Sequence, residues 1–425
     1  MLLDLPISYA TTKTDLPEMP PVEAACPVGL PEGTRCFRGQ DSAGAHYMIV
    51  VPAQWSGVLV MHAHGGPPLE IKATRVDEDI QRWSVVVRLG HAWAASVFQQ
   101  AGFAVRSAVE DTERLRRIFC ECVAKPRRTL LHGQSWGGVV AAKAAEIYAE
   151  SWDGLLLTSS AVGGPLAYDF RLDLRVIYQY LCNDHPRSDE PSYPLSIGLP
   201  REDSRLTLAE LAARADESLG VLRPAEQRSP EQARKLKTIV DVLKIPEAAV
   251  IDQLRWGTWA LRDLVVKHGG SFLCNDTVRY SGSDDDATLN ASVQRYRADP
   301  SAYARFLSDS DYSGRISVPV LTVHGIKDQT CLVEVHDTLR SRMRTMGYEQ
   351  NLVQTFVDSD KHSYFGDEIY PPLIEALLGW IEDGSRPTPH QIAERCRALI
   401  GDTSAACGFR PDFVPGPLAS RVHPR

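Results

Sequence analysis

Thr129-Leu130-Leu131-His132-Gly133-Gln134-Ser135-Trp136-Gly137-Gly138-Val139-Val140-Ala141-Ala142-Lys143-Ala144-Ala145-Glu146 is the stretch that decides the fold. It opens with a short apolar run suited to a buried strand, passes through Gly-x-Ser-x-Gly, and closes in an alanine-rich segment suited to a helix. Strand, sharp turn and helix in that order form a nucleophile elbow, in which a strained turn lifts a serine above the sheet edge and glycines let neighbouring backbone pass close by. Ser135 is therefore the candidate nucleophile. Its alternative is an ordinary turn serine.

The flanking sequence repeats this rhythm. Residues 47–51 and 57–61 are β-branched, apolar runs separated by Pro52-Ala53-Gln54-Trp55-Ser56, and they read as two adjacent strands joined by a turn. The second leads into His62-Ala63-His64-Gly65-Gly66-Pro67-Pro68. Residues 91–100 read as a helix, 103–105 as the next strand and 113–123 as a helix. Another buried-strand run lies at 152–158. Strands alternating with helices imply an α/β architecture, a doubly wound, mostly parallel sheet covered on both faces. The rhythm stops between about 165 and 314, where helical segments at 206–219, 230–243 and 246–268 alternate with loops rich in Pro, Asp and Ser. This stretch reads as an inserted, mainly helical cap. The sheet pattern resumes with a strand at 318–323, a helix at 332–346, a strand at 352–357 and a helix at 371–382. The expected organisation is an extended N-terminal arm without strand or helix periodicity (1–44), a core (45–164 and 315–383), the cap (165–314) and a C-terminal tail wrapping over the core (384–425).

A serine hydroxyl needs a base to take its proton, and the base needs a carboxylate to fix its tautomer. The run ending at Val323 continues into His324-Gly325-Ile326-Lys327-Asp328, and the run ending at Val357 continues into Asp358-Ser359-Asp360-Lys361-His362-Ser363. Asp328 and His362 thus fall in loops beyond separate strands and are the candidate acid and base. Asp328 has an alternative as a cap for the helix near 332, and Asp358 and Asp360 are rival partners for the histidine. His362 competes with 11 other histidines, because the chain has 12. His132 and His324 sit at strand ends, His336 in a helix, His185 and His268 in the cap, and His390 and His423 in the tail.

The order Ser135, Asp328, His362, each beyond its own strand, resembles the α/β-hydrolase superfamily over the core segments. That resemblance implies a serine hydrolase of the carboxylic-ester type, acting on a small-molecule ester through an acyl-enzyme and needing no cofactor and no metal. It implies an oxyanion hole made by the amide of Trp136 and by Gly65 or Gly66 of a loop similar to the family's His-Gly-Gly, whose alternative is a plain tight turn. Pro67, lacking an N–H, cannot contribute. His64-Gly65-Gly66-Pro67 and Gly133 to Gly138 also resemble parts of the prolyl iminopeptidase pattern, departing from it at Pro68. An aminopeptidase would need cap carboxylates, such as Asp189, Glu190 and Asp284 to Asp286, to hold a substrate ammonium. A third reading is a non-catalytic binding protein on the same fold.

Composition excludes other classes. The chain of 425 residues is 44% hydrophobic and 24% charged with a net charge of −8 and no concentrated basic run, which argues against nucleic acid as a partner. No apolar run approaches the ~20 residues of a membrane span. The acidic run Ser283 to Asp286 lacks the glycine and distal glutamate of a calcium loop and reads as a solvated turn. The sequence carries no signature of an oligomeric state, and residues 1–21 lack the pattern of a secretory leader. Of the 9 cysteines, Cys26 with Cys36 and Cys396 with Cys407 bracket short segments that disulfides would staple, and Cys182 with Cys274 could form a third pair. The disulfides would place the protein in a secreted or periplasmic setting. Free thiols would place it in the cytoplasm.

Overall fold

The computed structural model describes residues 17–67, 70–199, 206–400 and 407–425. Residues 1–16 of the expected arm, Pro68 and Leu69 of the expected core, residues 200–205 of the expected cap and 401–406 of the tail lie outside the described residues.

A nine-stranded sheet organises the molecule: β1 (Val22–Ala24), β2 (Arg35–Gln40), β3 (His46–Val51), β4 (Val58–Ala63), β5 (Ala92–Ser96), β6 (Arg128–Gln134), β7 (Gly154–Thr158), β8 (Val320–Gly325) and β9 (Leu352–Val357). The spatial order is β1-β2-β3-β5-β4-β6-β7-β8-β9. β1, β2, β3 and β5 pair antiparallel, and β5, β4, β6, β7, β8 and β9 pair parallel. The side-chain period of two sends neighbours to opposite faces, so Leu130 packs in one core and Leu131 in the other. Helices α1 (Arg75–Arg88), α12 (Tyr370–Asp383) and α13 (Pro389–Ile400) supply one core, with Trp83, Leu373 and Ile392. Helices α2 (Val105–Ile118), α3 (Gly137–Ile147) and α11 (Val335–Thr345) supply the other, with Val109, Val140 and Leu339.

Between β7 and β8 the chain leaves the sheet for α4 (Leu166–Cys182), α5 (Leu208–Leu219), α6 (Pro230–Leu243), α7 (Val250–Arg255), α8 (Leu261–His268), α9 (Asp286–Ser292) and α10 (Pro300–Asp309). Local sequence explains their starts. Thr207 with Glu210 and Ser229 with Gln232 form capping boxes, while Asp299 caps α10 ahead of Pro300. The tail returns to the core: Arg410 donates its amide to the Phe356 carbonyl at 2.8 Å, Asp358 donates to the Gly408 carbonyl at 2.8 Å, and Leu418 and Val422 are buried.

Several expectations are corrected. Residues 91–100 do not form a helix, nor 103–105 a strand. Residues 92–96 are strand β5, and α2 begins at Val105 and ends at Ile118, giving way to a π-turn at Phe119–Val123. The alanines of β5 favour a helix intrinsically, but all five residues are buried on both faces between two other strands, and burial outweighs that preference. β3 and β4 are consequently not neighbours, because β5 lies between them, pairing Met48 with Ala95 and Val60 with Trp93. The segment read as an arm without periodicity carries β1 and β2, which extend the antiparallel edge. The helix expected over 246–268 is divided into α7, a π-turn at Trp256–Ala260 and α8. Cys26–Cys36 and Cys396–Cys407 are disulfides, whereas Cys182 and Cys274 are free, as are Cys120, Cys122 and Cys331.

Candidate active site

The turn after β6 places Ser135 at φ +54°, a left-handed conformation uncommon for a residue with a side chain. Three hydrogen bonds hold it there: the Ser135 amide donates to Thr158 O, and its carbonyl accepts from Gly138 N and Ala161 N, each at 2.9 Å. Glycine is required on both sides. A Cβ on Gly133 would stand 2.6 Å from the Gly137 carbonyl oxygen, one on Gly137 would stand 2.0 Å from the Ala63 carbonyl oxygen, and one on Gly138 would stand 2.2 Å from Ser160.

The loops after β8 and β9 converge on this turn and are tied together, Ile326 N donating to Val357 O at 2.9 Å and Lys327 N to Ser359 O at 3.0 Å. Asp328 Oδ1 accepts the amides of Thr330 and Cys331 at 2.9 and 3.0 Å, and Oδ2 lies 2.7 Å from His362 Nδ1. His362 Nε2 lies 2.8 Å from Ser135 Oγ. With Nδ1–H donating to the carboxylate, Nε2 is left bare and accepts the serine hydroxyl proton. The Asp328 side chain is wholly buried and that of His362 is 22% exposed. Ser363, at φ +81°, donates its amide to Ser159 Oγ at 3.1 Å, fixing the loop that carries the histidine. Of the rivals, Asp358 pairs with Lys327 and Arg410, and Asp360 is exposed.

Gly65 lies against the elbow, since a Cβ there would be 3.3 Å from Ser135 Cβ, and Gly66 lines the same cavity as Ser135 and Trp136. The Trp136 ring is buried edge-on to Phe98 at 6.1 Å. Beneath the site lie fully buried histidines. His62 and His132 meet through their Nδ1 atoms at 3.0 Å, and His336 meets His324 at 2.8 Å while His324 Nε2 donates to Cys331 O at 2.9 Å. Burial pushes all four below the usual imidazole range, His132 to about 3. His324 Nε2 also lies 3.5 Å from Asp328 Oδ2, but it is His362 that meets Ser135 Oγ.

A parallel sheet with an antiparallel edge, a strained serine turn after β6 and a histidine loop after β9 identify the architecture. The chain has the α/β-hydrolase fold. No family model and no curated protein matches its sequence. Among solved structures it is similar to feruloyl esterase B from Aspergillus oryzae (13% identity over 89% of this chain and 90% of that chain, TM-score 0.45). It is also similar to an esterase from Aspergillus oryzae (13%, 83% and 80%, 0.44) and to a hormone-sensitive lipase from a metagenome library (12%, 87% and 87%, 0.40).

Ser135 opens onto a cavity. Its walls come from distant parts of the chain: Phe103, Trp136, Tyr168, Phe170, Leu332 and Val335, with Trp256 and Ala260 presented by the π-turn and Leu418 by the tail. Arg171 is its one charged lining residue among those described. The sequence reading missed Tyr168, Phe170, Arg171, Trp256 and Leu418. Nothing in their local sequence marks them, because the cavity exists only once the insertion and tail have packed. The carboxylates considered for a substrate ammonium are elsewhere: Glu190 pairs with Arg214 at 2.6 Å, Asp285 caps α9, Asp286 accepts from Ser283, and Asp189 and Asp284 are exposed. Among the described residues, no helix is long and apolar enough to cross a membrane.

Proposed function

We propose that the chain is a serine hydrolase that cleaves carboxylic esters through an acyl-enzyme on Ser135. The observation that carries this reading is the continuous hydrogen-bond chain from Asp328 through His362 to Ser135, at 2.7 and 2.8 Å. Ser135 Oγ attacks the ester carbonyl as His362 Nε2 takes its proton. Asp328 holds the imidazole in the tautomer that can accept it and steadies the imidazolium that forms. The tetrahedral oxyanion is received by the Trp136 amide and by Gly65 or Gly66, donors whose loss typically costs about 3 kcal/mol of barrier. His362 then protonates the leaving alcohol, and in the second half it activates the water that releases the acid. The helices of the insertion act as a cap that excludes bulk water from this exchange.

An aminopeptidase reading is disfavoured by the charge of the cavity, which offers an ammonium a cation, Arg171, and no carboxylate among its described lining residues. The two disulfides support an oxidising compartment. The test is parallel assay with p-nitrophenyl butyrate and proline p-nitroanilide, together with a fluorophosphonate probe. Ester hydrolysis and labelling that both vanish in Ser135→Ala are expected. Hydrolysis of the anilide alone favours the aminopeptidase, and folded protein that neither reacts with the probe nor hydrolyses ester is a binding protein.

A further inference from the structure

The cavity above Ser135 is mostly apolar, and Arg171 of α4 is its one charged lining residue among those described. A guanidinium offers five N–H donors in a planar fork. Here two of its nitrogens reach acceptors, and both acceptors are neutral: Nη1 donates to the Ala167 carbonyl at 2.7 Å and Nη2 to the Thr330 carbonyl at 3.4 Å. Nε is closed off from solvent and meets no acceptor. No carboxylate among the described residues forms an ion pair with this arginine. The carboxylate whose charge it feels, Asp252, is already held by Arg255 at 2.7 Å and by the Thr330 hydroxyl at 3.0 Å.

The surroundings of Arg171 are aromatic. Its guanidinium carbon lies 5.8 Å from the Phe170 ring centre and 6.0 Å from those of Tyr168 and Trp256. Ring faces relieve part of the cost of burying the charge. They do not replace the hydrogen bonds of a planar anion, and burial still pulls the arginine below its ordinary range. Arg175 of the same helix is also met by neutral acceptors, the Leu195 carbonyl and the Tyr193 hydroxyl, but it does not line this cavity, while three further buried arginines have carboxylates: Arg114 pairs with Asp41 and Asp111 at 2.9 and 2.7 Å, Arg342 with Asp311, and Arg425 with Asp173 at 2.9 Å. Arg171 lines the cavity that contains Ser135 and has no such partner.

We propose that Arg171 anchors a carboxylate carried by the substrate, so that the cavity takes esters whose apolar chain or aromatic ring ends in an acid group. The proposal rests on the serine-hydrolase reading of the site. The apolar wall buries the body of such a molecule, and the guanidinium supplies the charge-assisted, two-pronged hydrogen bonds that fix its far end. The same wall makes a matched neutral end poorer, because it leaves the buried guanidinium without an anionic partner.

The experiment uses p-nitrophenyl monoesters of succinic, glutaric, adipic and suberic acids. Each is paired with the neutral ester in which the free acid is a carboxamide, and the reading is the acid-to-amide ratio of kcat/KM within one protein. At one chain length or more the wild type is expected to favour the acid at least tenfold. Arg171→Met is expected to bring that ratio to about one, and Arg171→Lys to leave an intermediate value. A ratio near one at every length in the wild type, or a preference that survives Arg171→Met, overturns the anchor. Partial misfolding of a variant cancels in the ratio, and the wild-type series stands alone. Binding of both series to Ser135→Ala, followed by tryptophan fluorescence, separates the two readings. Tighter binding of the acids by a protein whose wild type releases no p-nitrophenol keeps the anchor and removes the hydrolase. Hydrolysis of both series without preference keeps the hydrolase and removes the anchor, and protein that neither binds nor cleaves the acids also removes the anchor.

Discussion

Oδ1 of Asp328 accepts the backbone amide of Cys331 at 3.0 Å. Together with the Thr330 amide this aims Oδ2 at His362, whereas the helix-cap alternative for Asp328 fails, because α11 starts at Val335 with Glu334 at its N-cap. Asparagine retains the oxygen that the two amides need, but it offers the histidine an N–H where the carboxylate offered an acceptor. Asp328→Asn is therefore expected to fold with wild-type thermal stability and lose about 10⁴-fold in kcat on p-nitrophenyl butyrate. Asp328→Ala should lose the rate and also a few degrees of Tm. Unaltered kcat in Asp328→Asn would remove Asp328 from the mechanism.

The glycines of the elbow make an opposite pair with a helical glycine elsewhere. Gly137→Ala would put a methyl 2.0 Å from a backbone oxygen, and the change should destabilise the protein by at least about 3 kcal/mol or leave it insoluble. Gly379 lies in α12 with nothing within 4 Å of its would-be Cβ. Gly379→Ala should raise stability by about 0.5–1 kcal/mol. Urea titration of both variants reads the contrast.

Stability should fall as the pH drops from 7.5 to 6. Burial lowers seven histidines, His62, His64, His91, His132, His268, His324 and His336, with His91 and His268 near about 4. The unfolded chain takes up their protons near pH 6.5 and the folded chain refuses them. Stability present above 6.5 is thus lost below it, by about 0.8 kcal/mol at pH 6 for each of His91, His132 and His268. Burial raises Asp169 to about 7 and Asp111 to about 6 and also raises Asp79, Asp173 and Asp184, which acts in the opposite direction with five groups against seven. Urea midpoints at the two pH values check the sign.

Each disulfide closes a loop of sequence separation 10 or 11, worth about 3 kcal/mol by chain entropy. Reduction with a phosphine should lower Tm, and Cys26→Ser with Cys36→Ser should reproduce part of that fall. A Tm indifferent to reductant would show that the links contribute nothing.

What could be read from the sequence is what is written locally. Ser135, Asp328 and His362 each follow an apolar run and sit in a glycine- or aspartate-marked turn, so their placement beyond β6, β8 and β9 needs no knowledge of distant packing. β5 was not legible, because Ala92, Ala94 and Ala95 carry a helical preference that is overruled only by strands from elsewhere in the chain. β1 and β2 were missed because an edge hairpin, half-exposed and broken by Pro and Gly, has little hydrophobic alternation. Arg171 was invisible for a related reason: the rings around it and the carboxylate it lacks are facts of tertiary contact.

The contribution of Leu418 to the cavity wall has a consequence for the order of events on the ribosome. The elbow emerges first, His362 more than two hundred residues later, and Leu418 after that. The cavity onto which Ser135 opens is therefore walled in part by residues made well after the elbow, and a protease that removed Leu418 would open that wall while leaving the contacts among Asp328, His362 and Ser135 in place.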